Sequence, residues 1–192
     1  MHETKPLEIL VVDDDQALRN ASTKMIRSTG ANVTQAANGN EGIVRFSERL
    51  ASAKPYDGVI SDYNMPDMTG VQMGAEIKRL SPGTLVYISS GKILDAQTEA
   101  ASLDGLQPDG FLEKPFKKDE LLGIIAQIKS IYAANSNTQA PKGTMTEFPS
   151  IQPLRNMLKE YILAHAVKGG YNGDPRYTEM YSQLLKQTRT NP

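Results

Sequence analysis

The sequence predicts an α/β protein: a doubly wound, five-stranded parallel sheet followed by a pair of C-terminal helices. Short apolar runs rich in β-branched residues alternate with segments whose apolar residues recur at helical spacing. This alternation indicates βαβ units, because right-handed crossovers between parallel strands place helices on both faces of one sheet. No internal repeat is visible, and no apolar run is long enough for a membrane span.

Five runs have the length and composition of buried strands. The first is apolar except for Glu8 and ends at a row of three aspartates. The third carries Val59 and Ile60 and ends at Asp62, and the fifth runs directly into Lys114. The predicted strands cover residues 7–12, 32–36, 59–62, 84–89 and 110–113.

A helix is predicted after each strand, with its apolar residues on one face. In the first helix that face includes Leu18 and Ile26. Asn38-Gly39 predicts a turn before the second helix. The fourth helix, over about residues 94–103, has a less regular pattern, whereas the fifth repeats apolar residues regularly up to Ile131.

The composition changes after Tyr132 and predicts three segments. Residues 5–132 form the α/β domain, 133–149 form a polar linker, and 150–192 form two amphipathic helices. Two helices of this length are too short to bury both apolar stripes by themselves. We therefore expect them to pack on the first domain or on another chain.

Composition and charge exclude several classes of protein. The chain has no cysteine, which excludes disulfides and thiolate metal sites, and its N-terminus has no secretory signal pattern. A cytoplasmic location and the absence of a membrane span are the resulting expectations. The formal net charge is −1, but the residues after 132 hold 7 Lys or Arg against 4 Asp or Glu. This mildly basic tail permits an acidic partner.

Polar side chains follow four of the five predicted strands, where ligands bind in parallel α/β sheets. Asp13 and Asp14 follow the first strand, Asp62 ends the third, Ser89 ends the fourth and Lys114 follows the fifth. Three carboxylates at one edge repel each other and favour a bound cation. Oxygen ligands without His or Cys suit Mg2+, with Mn2+ as an alternative.

A small oxygen-lined site beside one reactive carboxylate suggests phosphoryl transfer onto Asp62, which can act as a nucleophile. Lys114 would supply a fixed ammonium and Ser89 a hydroxyl donor to the same group. Each residue alone has a simpler interpretation: an acidic run such as Asp13 to Asp15 commonly caps a helix, and we expect that role for Asp15. The coincidence of all the groups at one edge favours the functional interpretation.

At these residues the chain resembles a response regulator of bacterial two-component signalling, with a receiver domain of flavodoxin-like fold over residues 5–132. Ile9-Leu-Val-Val-Asp-Asp14 resembles the first strand and acidic pair of that family. The phosphoacceptor motif is matched by Asp62-Tyr-Asn-Met-Pro-Asp-Met-Thr-Gly70, the switch hydroxyl by Ile88-Ser-Ser90, and the lysine motif by Phe111-Leu-Glu-Lys-Pro-Phe116.

The resemblance implies that a histidine kinase or a phosphotransfer protein phosphorylates Asp62 in the presence of Mg2+. The metal ligands would be Asp14, Asp62 and the main-chain oxygen of Asn64, with Asp13 bound through water. It further implies that the chain is a phosphoacceptor rather than an enzyme with its own substrate, although it assists its own phosphorylation and dephosphorylation.

The same resemblance implies a switch in which Ser89 turns toward the phosphoryl group and Phe111 changes rotamer, and a cis bond between Lys114 and Pro115. Phe111 stands where the family often has tyrosine. For the output, the leading hypothesis is that residues 150–192 mediate self-association, as a homodimer, or docking of a protein partner. The alternative is a DNA-binding transcriptional regulator, which the basic tail favours slightly. A third possibility is that the tail covers and inhibits the receiver.

Overall fold

Five parallel strands form one sheet in the order β2-β1-β3-β4-β5. The structure is a computed structural model that describes residues 5–52, 54–103 and 105–137. The predicted doubly wound α/β fold is confirmed. The strands are β1 (Glu8–Val12), β2 (Asn32–Ala36), β3 (Gly58–Asp62), β4 (Leu85–Ser90) and β5 (Gly110–Glu113), and the helices are α1 (Gln16–Arg27), α2 (Gly39–Ala51), α3 (Gly70–Leu80), α4 (Ile93–Ala101) and α5 (Lys118–Asn137).

The chain runs outward from β1 to β2 and then returns to the other side of β1 to form β3, β4 and β5. Helix α1 packs with α5, whereas α2 packs with α3 and α3 with α4. The order of the strands reverses between β1 and β3. In open α/β sheets such a reversal opens a crevice at the carboxyl ends of the strands, where ligands bind.

The central strands are buried on both faces, which explains their nearly continuous apolar sequence. Ile9 and Val11 of β1 belong to a core cluster with Ile26 of α1 and with Leu121 and Ile128 of α5. This packing holds the carboxyl end of β1 rigidly against its neighbours. The site at that edge therefore rests on a strand that is buried in the core.

Polar side chains cap the helices that begin near this edge. Asp15 is the N-cap of α1 and accepts hydrogen bonds from the backbone of Ala17 and Leu18, as expected. Asn38 is the N-cap of α2 rather than part of a turn, because its side chain accepts from the backbone N–H of Glu41. The predicted Asn38-Gly39 turn is wrong, since an Asn that bonds three residues ahead starts a helix equally well.

Two large apolar residues on the helices are exposed, and one of them, Leu18, was predicted to lie on the apolar face of its helix. Leu18 is 46% exposed, and α1 buries Ser22 and Thr23 beside Ile26 instead. Leu94 is 71% exposed, while the buried residues of α4 are two alanines. The buried faces of α1 and α4 therefore include small residues, which the spacing of large apolar residues does not reveal.

The last described helix is longer than the sequence predicted. Helix α5 continues to Asn137, into the segment predicted as a linker, because alanines after Tyr132 extend a helix well. The remainder of that segment and the predicted helical pair at 150–192 lie outside the described residues. Within the part of the chain that the structure describes, no helix has the length and apolar character needed to span a membrane.

Candidate functional site

Three carboxylates meet where β1 and β3 end. Asp13 and Asp14 follow β1 directly, and Asp62 is the last residue of β3. One oxygen atom from each side chain lies within 4.8 Å of the other two. Asp13 and Asp62 are buried, whereas Asp14 is exposed. Two carboxylates of the site are thus shielded from solvent, and the third, that of Asp14, is exposed to water.

The ammonium of Lys114 lies between the two buried carboxylates. Its Nζ is 3.0 Å from Oδ2 of Asp13 and 2.9 Å from Oδ1 of Asp62. Lys114 follows β5 directly, its backbone N–H donates to the carbonyl of Ser90, and its peptide bond to Pro115 is cis. Lys114 and Asp13 are 101 residues apart in sequence but contact each other, because both follow strands of the same parallel sheet.

The other contacts of the acidic pair distinguish its two members. Asp13 uses both carboxylate oxygens, since Oδ1 accepts from the backbone N–H of Asp15 at 2.9 Å and Oδ2 from Lys114. Arg19 donates to the main-chain carbonyl of Asp13 at 2.5 Å. Among the described residues the carboxylate of Asp14 accepts no hydrogen bond. Asp14 is therefore the member with oxygens free for direct contact with a cation.

Burial and charge act on the pKa values of this cluster. Burial raises the pKa of Asp62, and the negative charge of Asp13 adds to this effect, against the hydrogen bond and charge of Lys114. Burial by itself would lower the pKa of Lys114, but the hydrogen bonds and charges of Asp62 and Asp13 outweigh it and raise that pKa. Lys114 accordingly remains charged, and Asp62 is a partly desolvated carboxylate.

The donor set fits a hard divalent cation. All three side chains offer carboxylate oxygen, which Mg2+ and Mn2+ prefer, and the exposed Asp14 leaves room for the waters that Mg2+ retains. Asn64 is exposed in the loop that follows β3. Because one ammonium cannot balance three carboxylates, the cluster retains excess negative charge that a cation would offset.

The sequence model of the response regulator receiver domain family matches residues 9–126 of this chain. The chain belongs to that family. GlrR, a transcriptional regulatory protein of Escherichia coli K12, is 39% identical over 123 residues, which cover 63% of this chain and 26% of GlrR. The cell cycle transcriptional regulator CtrA of Caulobacter vibrioides is 29% identical over 119 residues, which cover 62% of this chain and 48% of CtrA.

The chain thus spans about half or less of the length of these curated relatives. Among solved structures, a response regulator receiver domain protein from Clostridium thermocellum has a similar fold, with a TM-score of 0.58 and 24% sequence identity. The similarity covers 67% of this chain and 98% of that protein. Both comparisons concern the receiver domain, and the match to the family model ends at residue 126, within α5.

In this receiver domain Ser89 lies beside Asp62 in the sheet, but its hydroxyl donates to a main-chain carbonyl and not to the carboxylate of Asp62. The two residues are partners in the register of β3 and β4, and the hydroxyl of Ser89 donates to the carbonyl of Ser61 at 3.2 Å. The backbone N–H of Tyr63 donates to the carbonyl of Ser89 at 2.8 Å. Phe111 is half-buried on β5, opposite Ile88.

Gly70 brings the start of α3 directly against the end of β3. A Cβ atom at this position would lie 2.1 Å from the carbonyl oxygen of Asp62 and 2.9 Å from the hydroxyl of Ser61. The backbone N–H of Gly70 also donates to the carbonyl of Tyr63 at 2.9 Å. Only glycine permits this approach, so the position of Asp62 depends on it.

One set of contacts was not predicted from the sequence. The hydroxyl of Thr69, the N-cap of α3, donates to Oε1 of Glu99 on α4 at 2.9 Å. Glu99 also raises the pKa of Tyr63, although burial is the larger cause. The loop that follows Asp62 is therefore linked to α4. No local sequence signal pairs residues 69 and 99, because the contact depends on how α3 and α4 pack.

Proposed function

We propose that the chain is a two-component response regulator that accepts a phosphoryl group on Asp62 from a histidine kinase or a phosphotransfer protein. The reaction requires Mg2+, for which Mn2+ can substitute, and takes place in the cytoplasm. The observation that carries the proposal is the placement of Lys114 between Asp62 and Asp13, with Asp14 beside them. Membership of the receiver family supports the same chemistry.

In the proposed step an oxygen of the Asp62 carboxylate forms a bond to phosphorus while the bond from phosphorus to the imidazole nitrogen of the donor breaks. The electron pair of that bond leaves with the nitrogen, and the product is an acyl phosphate. Mg2+ held at the acidic cluster would supply positive charge to offset the charge of the phosphoryl oxygens. Lys114 holds a second positive charge within reach of the same oxygens, in a buried position where it needs no reorganisation.

The residues proposed to hold the metal are Asp14, Asp62 and the main-chain oxygen of Asn64, with Asp13 bound through water. The engaged oxygens of Asp13 support this division, because they already accept from Asp15 and Lys114. The exposed and unbonded carboxylate of Asp14 is suited to direct contact.

The proposed switch starts from the hydrogen bond between Ser89 and the carbonyl of Ser61. After phosphorylation the hydroxyl of Ser89 would leave this carbonyl and donate to the phosphoryl group, and Phe111 would change rotamer in the space beside β4. Such a change shifts the population between two states of the domain. The link between Thr69 and Glu99 offers a route from the site to α4.

Phosphorylation of the full chain by acetyl phosphate and Mg2+ tests the site. Wild type should gain one phosphoryl group by intact-protein mass spectrometry, and Asp62→Asn should gain none. Asp57→Asn is the matched control. It removes a partly buried carboxylate next to the first residue of β3, at the end of the strand away from Asp62, and should leave labelling unchanged. Labelling that persists in Asp62→Asn would show that another residue is the acceptor.

For the output we propose that residues 150–192 mediate homodimerisation or docking of a protein partner under control of the receiver. Light scattering coupled to gel filtration tests self-association, with beryllofluoride and Mg2+ as a stable substitute for the phosphoryl group. The full chain should increase in mass when beryllofluoride is added, and a chain truncated after 149 should not. A monomer in every sample would rule out the self-associating form.

A DNA-binding output is the second candidate. It is favoured by the relatives GlrR and CtrA, which are both transcriptional regulators, and by the mildly basic tail. Gel shifts on mixed genomic fragments at increasing salt separate the two outputs. Binding to DNA through phosphate contacts must weaken steeply with salt, whereas the absence of any shift at low salt would leave the protein-docking output.

A further inference from the structure

Asp67 attaches the phosphoacceptor loop, residues 63–69, to another helix. Its carboxylate accepts from the backbone N–H of Gly39 at 3.1 Å and of Asn40 at 2.7 Å, the first two residues of α2. It also accepts from the backbone N–H of Met68 at 3.0 Å. Both oxygens are therefore used, and the negative charge lies at the positive end of the α2 dipole, where it is stabilised.

Neither helix uses this carboxylate as its N-cap. Asn38 is the N-cap of α2, and Glu41 of the same helix accepts from the backbone N–H of Ala37 at 2.8 Å. Helix α3, which follows the loop, is capped by Thr69 and Gln72. The contact between residue 67 and the start of α2 therefore fixes the loop, in addition to satisfying amide groups of α2.

Packing supports the same attachment independently. A Cβ atom on Gly39 would lie 2.4 Å from Cγ and 3.0 Å from Sδ of Met68, so the first residue of α2 and the loop are in close contact. The far end of the loop is held by Thr69, through its hydrogen bond to Glu99. Along the chain, Asn64 lies between Asp62 and the two residues that attach the loop, Asp67 and Thr69.

We propose that Asp67 is a positioning residue that fixes the loop so that the main-chain oxygen of Asn64 is presented beside Asp14 and Asp62 as a metal ligand. This inference rests on the proposed function, since it assigns a role in binding the Mg2+ that phosphorylation requires. Asp67 itself does not contact the cation. Its contribution is to remove the freedom of the loop before the metal binds, which strengthens binding.

The test compares Mg2+ affinity in the full chain for wild type, Asp67→Ala, Asp67→Asn and Glu41→Gln, using calorimetric titration. Asp67→Ala should weaken Mg2+ binding about tenfold, as is typical when a group that orients metal ligands is removed. Asp67→Asn keeps the volume and one acceptor and should lie between that variant and wild type. Glu41→Gln is the matched control, because it perturbs the start of α2 without touching the loop, and should bind like wild type.

Phosphorylation by acetyl phosphate as a function of Mg2+ concentration supplies a second measurement. In Asp67→Ala the half-saturating Mg2+ concentration should rise by the same factor as the dissociation constant for Mg2+. The rate at saturating Mg2+ should equal that of wild type. A residue that only stabilised the fold would not separate these two quantities. Melting temperatures of the four proteins show whether each is folded under the conditions of the titration.

Several outcomes would overturn the role of Asp67. Wild-type Mg2+ affinity in Asp67→Ala would do so, as would an equal loss of affinity in Glu41→Gln. If Asp67→Ala does not fold, Asp67→Asn decides, and unchanged affinity in that variant refutes the proposal. Wild type that binds no Mg2+ or accepts no phosphoryl group would overturn the proposed function itself, and the inference with it. Failure of the two proposals is therefore distinguishable.

Discussion

The contact between Gly70 and Asp62 gives a sharp test of how the phosphoacceptor is positioned. In Gly70→Ala the new Cβ would lie 2.1 Å from the carbonyl oxygen of Asp62, a backbone atom that cannot rotate away. The two atoms must separate by about 1 Å to reach an acceptable contact distance. That movement would also strain the hydrogen bond from the N–H of Gly70 to the carbonyl of Tyr63 and the one from the hydroxyl of Ser61 to the carbonyl of Asp62.

We expect the free energy of unfolding to fall by about 3 kcal/mol, since overpacking costs about 1–3 kcal/mol and each hydrogen bond contributes about 1 kcal/mol. Phosphorylation should slow about 100-fold at saturating Mg2+, because a displacement of about 1 Å has that effect on a positioned reaction. Urea denaturation measures the first quantity, and labelling by acetyl phosphate measures the second.

Gly123 of α5 supplies the control. It is exposed, and a Cβ there would meet nothing within 4 Å. Gly123→Ala should therefore stabilise the protein by up to about 1 kcal/mol through helix propensity and leave phosphorylation unchanged. If Gly70→Ala matched wild type in both stability and rate, the reasoning about close backbone approach would be wrong.

Three further predictions concern the rest of the domain. Glu99→Gln should lower the pKa of Tyr63 by removing a neighbouring charge, which NMR of 13C-labelled tyrosine measures against Tyr63→Phe. Burial raises the pKa of Asp57 in the folded protein. The carboxyl of the unfolded chain therefore ionises first, and the free energy of unfolding falls as pH rises above about 4. In urea denaturation Asp57→Asn should therefore gain stability relative to wild type as pH rises above about 4, and a difference that stays constant with pH would contradict this sign. Ile128→Ala should cost about 2–5 kcal/mol, and Leu94→Ala less than about 0.5 kcal/mol, by the same method.

Much of the fold was predictable because the signals of βαβ units are local. Strand β5 begins and ends where the sequence predicted, and Asp62 is the last residue of β3. The errors fell where one local pattern serves two structures. Asn38 can open a turn or cap a helix, and Leu18 shares its helical spacing with Ile26 although it faces solvent.

The placement of chemical groups at one edge was predictable for a related reason. In a parallel sheet every strand ends at the same edge, so residues that follow different strands must lie near one another. This argument predicted that Asp13, Asp62 and Lys114 lie close together, without giving a distance between their side chains, and the structure brings them into contact. It did not distinguish Ser89, whose hydroxyl donates to the carbonyl of Ser61 instead of to the cluster.

The sequence by itself determined the elements, their parallel connection and the edge at which the acidic residues gather, because apolar periodicity and strand ends are properties of short stretches of chain. Only the tertiary structure decided which side chains meet. The attachment of Asp67 to Gly39 and Asn40, and of Thr69 to Glu99, depends on how helices pack across the face of the sheet. Such contacts join residues about 30 positions apart. They form only when the side chains point toward each other in the folded domain, and the spacing of residues along the chain does not encode that direction.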